Sequence, residues 1–143
     1  MKKSKRLNVV AALTEQKVQA AASALKQSNE KLAQSHYAED LLASSHRSHH
    51  EHIEKRLSNG SSAYDLKVLS QSVANLQKGL DQIAGRIRQV EAERNACMED
   101  WTTQRAKSQA VERAIQRRVD EEDGFRRRQD ERSVDDIISS RRR

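Results

Sequence analysis

Along the second half of the chain, Leu66, Leu69, Val73, Leu76, Leu80, Ile83, Ile87 and Val90 recur at alternating spacings of three and four. That is the period of a helix burying one narrow stripe against another helix, whereas a strand would alternate every second residue. The frame runs on through Arg94, Cys97, Trp101, Gln104, Ser108, Val111, Ile115, Arg118, Glu122 and Phe125, so the stripe turns mixed after Val90. A more polar frame precedes it: Leu7, Ala11, Thr14, Val18, Ala21, Leu25, Ser28, Leu32, Ser35, Glu39, Leu42, His46, His49 and Ile53. Between the two lies Ser58-Asn59-Gly60-Ser61-Ser62. Asn-Gly there supplies a left-handed helix end, and Ser62-Ala63-Tyr64-Asp65 resembles a capping box opening the next helix. The pattern predicts a helix over 7–57, a turn over 58–63, a second helix over 64–132 and a frayed basic tail over 133–143. Gly124 is expected to loosen the helix ahead of that tail, since Gly costs about 1 kcal/mol relative to Ala in a helix interior.

Folding back at the turn sets Ile53 against Leu69, Leu42 against Leu80, Leu32 against Val90, Leu25 against Cys97, Ala21 against Trp101 and Leu7 against Ile115, all at one offset. A constant offset is what two antiparallel helices in continuous contact require, and it lets the large Trp101 meet the small Ala21. The expected fold is therefore all-α, a long antiparallel two-helix coiled-coil hairpin forming a single domain over 1–143. Its expected core is Leu25, Leu32, Leu42, Ile53, Leu66, Leu69, Val73, Leu76, Leu80, Ile83, Ile87, Val90 and Trp101. Ser28, Ser35, Glu39, His46 and His49 on the seam are expected to cost stability.

Composition narrows the class. With 35% apolar, 34% charged and 3% aromatic residues in 143, and no proline, the chain cannot build a thick core, but it suits long helices. Disorder shares this composition, and the sustained periodicity decides against it. The net charge of +6 is spread among interleaved acids and bases, as on a solvated helix face. Cys97 is the single cysteine, which leaves no intramolecular disulfide or metal-binding cysteine pair and points to a reducing compartment. The basic start Met1-Lys2-Lys3-Ser4-Lys5-Arg6 is not followed by an apolar run long enough for a signal peptide, and no stretch is long enough for a membrane span.

Candidate chemistry is sparse. His46, His49, His50 and His52 cluster near the turn, and 46 and 50 have one-turn spacing, but two of the four fall on the seam and only Glu51 and Glu54 stand nearby. No metal site is expected from them. No nucleophile constellation, phosphate loop or carboxylate pair is readable, so neither catalysis nor a cofactor is expected. Arginine clusters suggest nucleic acid, yet a continuous basic region, zinc-finger spacing and stacking aromatics are all missing, and no nucleic-acid partner is expected. What stands out is the end formed by the termini. There Lys2, Lys3, Lys5 and Arg6 join Arg126-Arg127-Arg128 and Arg141-Arg142-Arg143, with Val9, Val10, Leu13, Val119, Val134, Ile137 and Ile138 off the seam frame. Apolar groups combined with positive charge suggest docking into a complementary protein surface.

Two long helices, a Ser/Asn/Gly turn near residue 60, the lone Trp101 in the second helix, Leu42, Leu76 and the tail Arg132-Ser133-Val134-Asp135-Asp136 together resemble the central-stalk family of type III export systems. That family includes the flagellar export protein FliJ and the SctO (YscO-like) stalk proteins of injectisomes. The resemblance implies a non-enzymatic, cytoplasmic part lying peripherally at the inner-membrane base of a secretion apparatus, without insertion into the membrane. It implies a hexameric export ATPase docked by Leu7, Val10, Leu13, Arg118, Phe125, Arg126, Arg127 and Arg128. It also implies an export-gate ring protein faced by Leu42, Ser45, His49, Ser72 and Leu76, with secretion chaperones as further partners. Flagellar members tend to use aromatics where Ser45, His49 and Ser72 stand here, which favours the injectisome branch. The alternative is a generic coiled-coil adaptor or secretion-chaperone escort, dimerising into a four-helix bundle.

Overall fold

The computed structural model describes residues 3–60 and 62–143, apart from the side chains of Lys3 and Ser4. Met1 and Lys2 of the basic start and Ser61 of the turn lie outside the described residues. Two helices pack against each other as an all-α helical hairpin, α1 over Lys3–Ser58 and α2 over Ala63–Arg141. At the end of α1 the Asn59 N–H donates to the Lys55 carbonyl at 3.1 Å, and Gly60 turns the chain with φ of 73°, a conformation that costs glycine nothing. Ser62 then caps α2: its hydroxyl accepts the Asp65 N–H at 3.3 Å and its carbonyl accepts the Leu66 N–H at 3.2 Å. Arg56 reaches across the turn to Asp65 at 3.4 Å.

The chain divides into two compact units, Ser23–Glu99 and the pair Met1–Ala22 with Asp100–Arg143. In Ser23–Glu99, Ile87, Val90, Ser28 and Ser35 are buried, and Leu25, Leu32, Leu42, Ile53, Leu66, Leu69, Val73, Leu76, Leu80, Ile83 and Cys97 are half-buried. Cross-helix contacts report the register. Leu42 lies where a Cβ on Gly79 would meet it at 3.6 Å, one residue from Leu80. Arg94 Nε donates to Asn29 Oδ1 at 3.2 Å, and Ser28 Oγ is 3.3 Å from Cys97 Sγ. The buried serines are not orphaned, because the Ser35 hydroxyl donates to the Lys31 carbonyl at 2.9 Å and Ser28 has the Cys97 thiol.

In the other unit, Ala21 and Ser108 are buried, with Leu7, Ala11, Thr14, Val18, Trp101, Gln104, Val111 and Ile115 half-buried. The Arg105 guanidinium sits 5.2 Å from the Trp101 ring centroid, a cation–π distance. Among the described residues no large side chain in either unit is fully enclosed, as two helices alone must leave the outer half of each in solvent.

The far end of α2 corrects an expectation. The helix does not fray after residue 132 but runs to Arg141, and Gly124 lies inside it without a break. One glycine costs about 1 kcal/mol and no proline follows it, so nothing forces an end. Ser133 and Ser140 also bond back to the Gln129 and Ile137 carbonyls at 3.0 and 2.8 Å. At the other end α1 begins at Lys3, ahead of the expected residue 7.

Candidate docking surfaces

From residue 118 onward the side chains of α2 are exposed except at Glu122 and Gly124, which are half-buried. On the constant offset of the seam Lys3, where α1 begins, comes level with Val119, so few groups of the described α1 remain to cover the segment beyond it. Phe125 is 58% exposed, Arg126, Arg127 and Arg128 follow it into solvent, and Arg118 is held by Glu121 at 3.0 Å. On α1, Val10 and Leu13 of the same unit are exposed, at 43% and 54%. Leu7 differs from them in being half-buried. Val9, Val119, Val134, Ile137 and Ile138 add exposed apolar groups to the unit. An exposed valine or phenylalanine gains nothing from water, so apolar groups interleaved with arginines make a surface suited to an apolar partner site with acidic rims.

A shallow groove of about 240 Å³ in this unit is lined by Glu15, Val18, Trp101, Arg105, Ser108, Gln109 and Glu112. It is open to water and offers no enclosed space in which reacting groups could be shielded.

In Ser23–Glu99, the residues Leu42, Ser45, His49, Ser72 and Leu76 are all half-buried. The His49 ring is held along its own helix, its Nδ1 lying 2.8 Å from the Ser45 carbonyl. It lines a shallow groove of about 350 Å³ together with Ser48, His52 and Leu69. Sequence reasoning passed over the side chains most available to a partner here: Tyr37, Leu41, Leu57, Tyr64 and Val68, exposed by between 46% and 75%. Each lies off the seam frame, and that departure is the only signal by which they could have been found. Of the histidines, His50 Nε2 is 3.5 Å from Glu54 Oε1, and among the described residues no three His, Cys, Asp or Glu side chains converge as metal ligands. Among the described residues no helix is long and apolar enough to cross a membrane.

Compared with known proteins, residues 2–143 match the family model of the flagellar FliJ protein. No curated protein and no solved structure matches.

Proposed function

The chain belongs to the FliJ family of export-apparatus stalk proteins, and from that premise we propose that it is the non-enzymatic central stalk of a type III secretion apparatus. Its terminal end enters the hexameric export ATPase, stimulates it, and links it to the export gate. The observation carrying this reading is the exposed mixture of Val10, Leu13, Phe125 and the 126–128 arginines in one unit. An asymmetric, basic and apolar helix end inside a ring biases its subunits unequally, and a ligand with different affinity for different subunit states shifts their populations. Hydrolysis belongs to the ring; this chain contributes binding energy.

Gate contact falls to the Ser23–Glu99 unit. Leu42 and Leu76 are half-buried there, so their outward edges, with Ser45, His49 and Ser72, form the surface a ring protein meets. The polar character of that surface supports the injectisome branch, and with it a role in bacterial virulence, in the cytoplasm at the base of the apparatus. Chaperones carrying secreted substrates are the further partners of this reading.

The test is ATP turnover of the hexameric export ATPase with and without the full chain. Turnover and ring assembly rise on addition, and the triple variant Arg126→Glu, Arg127→Glu, Arg128→Glu loses the rise while keeping its helical circular-dichroism signal. Full stimulation by that variant would remove the proposed docking end, and unchanged turnover with the wild-type chain would remove the stalk reading.

A further inference from the structure

The exposed end of α2 carries its charges in blocks whose order is self-complementary. Residues 120–123 are acidic, 126–128 basic, 130–131 acidic, 132 basic, 135–136 acidic and 141–143 basic. Laid antiparallel on a second copy of itself, about the midpoint between Glu131 and Arg132, the segment sets residues 120–122 opposite 143–141, Arg127 and Arg128 opposite Asp136 and Asp135, and Glu131 opposite Arg132. Six pairs of opposite charge result, each made twice, and no pair of like charge. Phe125, the most exposed apolar group of this segment, comes level with Ile138 of the second copy. The register is specific. A shift of the midpoint by half a residue to either side puts Glu131 against Glu131 or Arg132 against Arg132 on the axis and loses pairs elsewhere.

We propose that residues 120–143 of α2 dock antiparallel on the same segment of a second copy of this chain. The helix is continuous through Arg141, so residues 120–141 present an unbroken helical face of about 33 Å at 1.5 Å per residue. Three consecutive residues of a helix fan over about 200°, so part of each arginine block faces a neighbouring helix whichever side it approaches. Helices in contact lie about 8–10 Å apart, within roughly one Debye length at 0.1 M salt, so the blocks attract across the gap. Within the chain this segment is engaged by the ion pair of Arg118 with Glu121 at 3.0 Å and by the Gln116 amide, which donates to Asp120 at 2.9 Å. The pairing does not rest on the export reading, and it covers the arginines which that reading gives to an ATPase, so the self-paired form is one in which that end is occupied.

Sedimentation equilibrium of the purified full chain tests it, with no ATPase present. Wild type forms a dimer whose dissociation constant rises at least about tenfold between 0.05 and 0.5 M salt, as exposed ion pairs require. Two block reversals, Arg141→Glu with Arg142→Glu and Arg143→Glu, and Asp120→Lys with Glu121→Lys and Glu122→Lys, are each monomeric alone. Mixed together they form a one-to-one heterodimer, because each supplies the charge the other lacks. The chain carrying all six changes dimerises again, which also shows that the single-block losses are not failures to fold. A wild-type chain that stays monomeric at low salt would overturn the proposal. So would a dimer that persists in either single-block variant, since that contact would lie elsewhere, as in a four-helix bundle.

Discussion

Val90 is 4% exposed and sits on the seam, while Val68, on the same helix, is 46% exposed. Truncating each to alanine removes the same atoms from two environments. For Val90 the loss is about two methylene equivalents at roughly 0.8 kcal/mol each, about 1.6 kcal/mol, with a further cost for the space left behind where the helices cannot close. Against this, alanine is the better helix former by roughly 0.5 kcal/mol. The net for Val90→Ala is a destabilisation of about 1–2 kcal/mol; for Val68→Ala, which loses roughly half that burial, it is about 0.4 kcal/mol or less. The difference between the variants is the cleaner quantity, since helix propensity cancels. Urea denaturation followed by circular dichroism at 222 nm reads it as a fall in midpoint at unchanged slope, repeated at two protein concentrations to separate hairpin packing from association. Midpoints for the two variants that coincide within error would refute the assignment of Val90 to an interhelical seam.

Further outcomes follow from the same geometry. Gly79→Ala places its new Cβ 3.6 Å from a Leu42 methyl, an ordinary contact, so the variant gains up to about 1 kcal/mol from helix propensity and its thermal midpoint rises; a fall would mean that the helices lie closer there. Ser62→Ala removes the hydroxyl that accepts the Asp65 N–H and costs about 1 kcal/mol in urea, with Ser62→Asp restoring most of it.

The hairpin was legible because a helix that buries one stripe must repeat its apolar residues at three and four, and because two such stripes sharing one offset leave few ways to fold. Even the polar interruptions follow the geometry: Ser28, Ser35 and Ser108 are buried and small enough for close helix approach, and the Ser28 and Ser35 hydroxyls find partners in the Cys97 thiol and the Lys31 carbonyl. The helicity of residues 133–141 was not legible, since mixed charge without proline describes a frayed tail and an exposed helix equally well. Nor was the choice among outward apolar groups. Tyr37, Leu41, Tyr64 and Val68 lie off the seam frame like many solvated positions, and only the packed helices show how much of each is left for a partner. Leu7 is the converse, an apolar residue near a charged end that is half-buried.

The antiparallel register itself can be trapped covalently. Ser28 Oγ lies 3.3 Å from Cys97 Sγ, so Ser28→Cys brings two thiols into reach of a disulfide with little movement of the backbone. Mild oxidation of that variant, followed by mass spectrometry of proteolytic fragments, is expected to join the peptides containing residues 28 and 97 within one chain, quantitatively and independently of protein concentration. Thiols that stay free, or that link only between chains, would contradict the hairpin.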